Sequence, residues 1–216
     1  MFSSVFAHSQ HRFTDCNNSM SEVVDIVAAV ILAGGLSRRM GRDKLTLTLG
    51  GVTLLESVAS RFEEEFKDVF ISVADTGKYP DIAVRKIADI LPGAGPISGL
   101  HAALTVLPCD GVFLAAADLP YACPRAAKRI IELSEGYDAC IVRLPDGKLE
   151  PLFGYYRKTL LPGCFDLIMS GNNRMSALIS GANARFVSPE DLGELWSDKL
   201  IVNINYPEDY NKLVGG

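Results

Sequence analysis

Four cations fall within one short stretch, ILAGGLSRRMGRDK: Arg38, Arg39, Arg42 and Lys44, against a single acid, Asp43. They follow the glycine pair Gly34 and Gly35, which ends an apolar run. Glycines let backbone approach a ligand with no Cβ in the way. The N–H groups of such a turn can hold phosphate oxygens or a base edge, and Arg39 and Lys44 can neutralise charge that builds on a phosphoryl group. The whole chain of 216 residues is acidic, with a net charge of -5. Local positive charge on such a chain points to a polyanionic ligand or to a solvated basic loop. The stretch is not a Walker A loop, because Gly41 is followed by Arg42 and Asp43, where that motif needs Lys and Ser or Thr. Nor does it carry the G-x-G-x-x-G of an NAD site.

A second group weights the choice toward the polyanion. Asp118 directly follows the apolar run Val112–Ala117. Such a position is the ligand edge of an open parallel sheet. Mg²⁺ bound with phosphates needs only one or two protein carboxylates, the substrate supplying the rest. Taken singly, an Asp before Leu-Pro also suits a turn; beside a cationic glycine loop, the metal reading is favoured. The stretch ADILPGAGPISGL places Gly93, Gly95 and Gly99 around Pro96. It reads equally as an anion site at a helix start or as a tight turn packed close to a strand. Asp89, just before it, is placed to bond a ribose or base, or to serve as a cap.

The elements that must hold these groups follow from periodicity. Ile26–Ala33 and Gly111–Ala117 are continuous apolar runs, the pattern of strands buried on both faces. LTLTLGGVTLL alternates on both sides of Gly50-Gly51, a hairpin signal. Leu54–Phe66 has helical apolar spacing. Further strands are expected at Val69–Val73, Ala83–Ile87, Ala139–Val142, Leu152–Tyr156 and, at an edge, Arg185–Val187. Further helices are expected at Ile97–Leu107, Pro124–Ser134, Thr159–Met169, Arg174–Ile179 and Pro207–Leu213. Alternating strands and helices predict an α/β fold: one Rossmann-like domain over residues 25–216, a mostly parallel sheet flanked by helices. Residues 1–24 read as a disordered extension, with Met20 an alternative start and the His8/His11 pair incidental to a tail.

Composition excludes several classes. Five scattered cysteines without C-x-x-C argue against a disulfide framework or a zinc site and suit a reducing cytoplasm. No apolar run approaches the roughly 18 residues of a membrane span. An acidic chain with one basic loop and no aromatic interleaving does not suit nucleic acid.

LAGGLSRRMGRDK resembles the L-A-G-G-x-S-x-R-M-G-x-D-K signature of the molybdenum cofactor guanylyltransferases. GPISGL, AAADLPY and VNINYPEDY are similar to three further elements of that family, in the family's order, from Leu32 to Tyr210. The resemblance implies a fold like the nucleotide-diphospho-sugar transferases. It also implies transfer of GMP from GTP to molybdenum-bound molybdopterin, forming molybdopterin guanine dinucleotide and diphosphate. It would place Leu32, Ala33, Gly34 and Gly35 on the nucleotide through backbone, Arg39 and Lys44 on the triphosphate, and Ser72 and Asp89 on the nucleoside. Asp118 would hold Mg²⁺, with Mn²⁺ an alternative, and Arg174, Asn203 and Asn205 would face the pterin. The implied partners are the two substrates, with a molybdenum insertion protein or molybdoenzyme chaperones downstream. Three positions depart from the family pattern: Ser72 stands where Asn is common, Ala117 where Cys is, and Tyr206 where Thr is. Gly35 favours guanine, since the sister cytidylyltransferases read L-A-A-G there. A nucleotidyltransferase using CTP or another phosphorylated acceptor is the alternative within the class. A non-catalytic nucleotide-binding module is the alternative outside it.

Overall fold

The computed structural model describes residues 27–34, 43–49, 51–204 and 209–210. Gly35, Arg38, Arg39, Arg42 and Asn205, with the expected N-terminal extension, lie outside the described residues, as does most of the expected last helix.

In chain order the strands are β1 Val27–Leu32, β2 Thr48–Leu49, β3 Val52–Thr53, β4 Val69–Val73, β5 Arg85–Ala88, β6 Gly111–Ala116, β7 Ala139–Arg143, β8 Leu149–Arg157 and β9 Ala184–Val187. The helices are α1 Leu54–Glu63, α2 Pro96–Val106, α3 Pro124–Glu132, α4 Leu161–Met169, α5 Met175–Ser180 and α6 Pro189–Leu192. Seven strands form one sheet in the order β5-β4-β1-β6-β8-β7-β9, and β2 and β3 make the expected separate hairpin. β8 alone runs against its neighbours, pairing antiparallel with β6 and β7. The expected α/β domain with a mostly parallel sheet is therefore the fold found, with β9 at an edge.

β1 and β6 carry no polar side chain because helices cover both faces of the sheet. Along β1 and just beyond it, Ala29, Ile31 and Ala33 enter one core with α1 and α3. Ala28, Val30 and Leu32 enter the other, with α2, α4 and α5. This alternation follows from the two-residue repeat of a strand. Full burial of a side chain such as Ile31 contributes about 1.5–3 kcal/mol. α1 starts where Thr53 and Glu56 form a reciprocal capping box, and its Leu54, Leu55, Val58, Ala59 and Phe62 are buried.

Two parts differ from the expectation. β8 is longer than the apolar run Leu152–Tyr156, because it takes in Leu149–Pro151 across a break in its register with β7. Residues 188–201 form α6 and two 3₁₀ turns; these elements are too short to leave a periodic signal.

Candidate active site

Four parallel strands, β1, β4, β5 and β6, deliver their carboxyl ends to one rim. A cleft of about 1030 Å³ opens there. Leu32 and Gly34 reach it from β1, Ser72 from β4, Asp89 from beyond β5, and Asp118 from beyond β6. Lys44 reaches it from a 3₁₀ turn, Lys44–Thr46, that precedes the hairpin.

At its centre the Lys44 ammonium donates to Asp118 Oδ2 at 2.5 Å and to the Ile204 carbonyl at 2.8 Å. The Ile204 N–H in turn donates to the Asp118 carbonyl at 3.0 Å. Three segments remote in sequence thus close on one another. Both charged side chains are largely shielded, at 16% and 21% exposure, where ionic attraction is stronger than in open water. The loop carrying Asp118 is held from outside by Arg61 of α1, which donates to the Pro120 carbonyl, and from inside by the Leu119 N–H on the Ala116 carbonyl at 3.2 Å.

The rim at the ends of β1 and β4 is formed by main chain and small residues. The Ala33 N–H donates to the Ser72 carbonyl, and the Leu32 carbonyl accepts from Ala117. Those groups are used inside the sheet, and Gly34, just beyond them, lines the cleft. Ala33 is itself buried. Gly99, in the first turns of α2, packs so closely that a Cβ there would stand 2.4 Å from Ser72 Oγ and 2.7 Å from Leu32 Cδ2. Close packing is the role of this glycine. Gly95, at φ 65°, takes a left-handed turn and lines the cleft with Gly93. Asp89 is half-buried, and that burial pushes its carboxyl above the usual range.

The residues expected at the pterin side are arranged differently. Arg174 is the exposed N-cap of α5, and its neighbour Met175 packs into the α2–α4 core. Asn203 precedes Ile204, which packs into the opposite core. Neither Arg174 nor Asn203 lines the cleft.

Sequence reasoning missed the loop after β4, whose Asp75, Gly77 and Lys78 line the same cleft. Applying the strand-end rule to β4 as well as to β1, β5 and β6 would have found it. Glu150 was missed too. Burial pushes its carboxyl up; the bond from the Leu152 N–H opposes this, and the nearby Asp118 charge adds a smaller upward push. Only the pairing of β8 with β6 brings Glu150 there, so no local signal existed.

The sequence profile of the MobA-like NTP transferase domain matches residues 29–186. The chain belongs to this family. Among its relatives is the protein named "Probable molybdenum cofactor guanylyltransferase" in Pelotomaculum thermopropionicum, 33% identical over 184 residues, covering 85% of this chain and 89% of that one. A protein of the same name in Carboxydothermus hydrogenoformans is 31% identical, covering 87% and 95%. The fold matches that of the molybdopterin-guanine dinucleotide biosynthesis protein A from Archaeoglobus fulgidus, with a TM-score of 0.76 and 24% identity, over 88% of this chain and 97% of that one.

Proposed function

We propose that this MobA-like enzyme transfers GMP from GTP to the terminal phosphate of molybdenum-bound molybdopterin, yielding molybdopterin guanine dinucleotide and diphosphate. The observation that carries the reading is the Lys44–Asp118 pair lining a cleft of nucleotide size. The names of the two relatives support guanine as the base.

In the reaction an oxygen of the acceptor's terminal phosphate bonds to the α-phosphorus of GTP. The bond to the bridging oxygen breaks, and diphosphate departs with that electron pair. The attacking oxygen is already anionic, so no general base is required. The obstacle is bringing two polyanions together, and alignment with charge neutralisation supplies most of the rate. Lys44 is placed to meet the phosphates once it turns from Asp118, and Gly34 and Gly95 allow backbone to approach them.

The residues present suit Mg²⁺. Asp118 already holds one cationic group, the Lys44 ammonium, at 2.5 Å. Among the described residues no cluster of three or more His, Cys, Asp or Glu could form a protein-only cage; Mg²⁺ sites that share substrate phosphates need none. Bound by Asp118 and phosphate oxygens, the ion would neutralise charge on the transferring group. Arg39, Gly35 and Asn205 belong to the same proposal, as do Ser72 and Asp89 on the nucleoside and Arg174 and Asn203 toward the acceptor.

Among the described residues no helix is long and apolar enough to cross a membrane, and four cysteines are free, which suits work in the cytoplasm. The deciding experiment supplies Mg²⁺, molybdenum-bound molybdopterin and either GTP or CTP, then identifies the dinucleotide and measures diphosphate. Guanine dinucleotide is the expected product. Cytosine dinucleotide, or diphosphate released only with another phosphorylated acceptor, would replace this reading with the corresponding sister activity.

A further inference from the structure

The β4–β5 loop does more than wall the cleft. Its Tyr79 is a bulky residue at φ 56°, a left-handed conformation that L side chains rarely adopt. Such a backbone persists where the surroundings over-determine it, and it tends to mark functional segments. Two contacts do so here. The ring is buried in the α1 core, and the hydroxyl donates to Asp43 Oδ2 at 2.7 Å. The Lys78 ammonium reaches the same oxygen at 3.2 Å.

Asp43 is the residue from which Lys44 is hung. Its other oxygen, Oδ1, accepts from the Leu45 N–H at 3.1 Å and so caps the turn Lys44–Thr46. Its main-chain carbonyl accepts from the Thr46 N–H at 3.2 Å and from the Thr46 hydroxyl at 2.8 Å. Buried Leu45 fixes the inner side of the turn. Rotating the Asp43 carboxylate would release the cap and move the root of Lys44. A lysine chain is long and flexible, so where its root sits decides whether the ammonium can turn from Asp118 to a phosphate.

We propose that Tyr79 is a positioning residue that, by anchoring the Asp43 carboxylate, sets the placement of Lys44. The inference rests on the nucleotidyl-transfer reading for its kinetic consequence alone; the placement of Lys44 is a property of the ligand-free protein.

The test is a double-mutant cycle with Tyr79→Phe and Lys44→Ala, which isolates coupling between the two sites. Tyr79→Phe keeps the buried ring and removes only the hydroxyl. It is expected to lower kcat about 10-fold or more, since small misplacements of a reacting group are costly. GTP affinity should stay within about 2-fold, because the pocket walls are kept. In the Lys44→Ala background the same change should alter kcat less than about 2-fold. Asp43→Asn should reproduce the Tyr79→Phe effect. In parallel, the Lys44 ammonium resonance, identified by its loss in Lys44→Ala, should shift in Tyr79→Phe without substrates. Equal losses in both backgrounds, or an unmoved Lys44 resonance, would overturn the inference. A wild-type protein that makes no dinucleotide would instead sink the functional reading, while the resonance still decides the placement of Lys44.

Discussion

The two halves of the sheet carry different burdens. From β5 through β6 all strands run parallel, so every carboxyl end meets one rim, and each contributes to the cleft. From β8 through β9 the reversed strand interrupts that convergence, and among the described residues Leu152 is the half's single contribution to the cleft. Charge follows the same division. Lys44, Lys78, Asp75, Asp89 and Asp118 all line the cleft from the parallel half, whereas Arg174 stands exposed at the start of a short helix. A rim built by parallel strands can gather loops remote in sequence around one triphosphate. The proposed acceptor side falls to the mixed half.

The sharpest way to break this comparison is to remove its centre. Asp118→Asn is expected to lower turnover by about 1000-fold or more, with metal dependence lost, measured as diphosphate release. Activity within a few-fold of wild type would mean that the pair with Lys44 is merely structural. Next in size is Gly99→Ala, which strikes the wall where α2 rests on β1 and β4. Its Cβ would collide with Ser72 and Leu32. Such overpacking costs about 1–3 kcal/mol, or a fall in Tm of roughly 3–10 °C at this size. GTP affinity should fall with it in titration calorimetry. An unchanged Tm would show that α2 can shift freely.

Arg174→Ala tests the other half. Loss of a charge-assisted bond to the acceptor predicts about a 10-fold rise in its KM, with GTP binding unchanged. A weakened GTP complex would erase the division between the halves. The smallest effect belongs to Asp89→Asn. Burial raises the Asp89 carboxyl in the folded protein above its unfolded value of about 3.9. Folding therefore penalises the ionised form. Wild-type stability is fullest below the unfolded value and declines as pH rises through the folded one. The Asn variant cannot ionise, so its melting temperature should exceed wild type's at pH 7 and converge with it near pH 3. Its GTP affinity should be weaker at pH 7. Parallel melting curves across that range would remove burial as the cause.

Much of this was legible in residues alone. Val27–Leu32 and Gly111–Ala116 advertise buried strands because every position is apolar. The helical spacing of Leu54, Leu55, Val58, Ala59 and Phe62 announces α1, and Asp118 is conspicuous as a carboxylate directly after an apolar run. The reversed β8 was not legible, since an apolar strand reads the same in either direction. Nor was the role of Ile204, which acts through a carbonyl that every residue possesses, or that of Tyr79, whose partner lies 36 residues earlier.

The sequence by itself determined which segments are strands and helices, that two apolar faces need covering, and which side chains carry charge suited to phosphate. Those are properties of neighbouring residues, fixed by the strand and helix repeats. Tertiary structure alone decided that Lys44 meets Asp118 across 74 residues, that Asp43 and Tyr79 join, and that neither Arg174 nor Asn203 lines the cleft. The pairing order and direction of the strands set those distances, and a linear pattern of hydrophobicity carries neither.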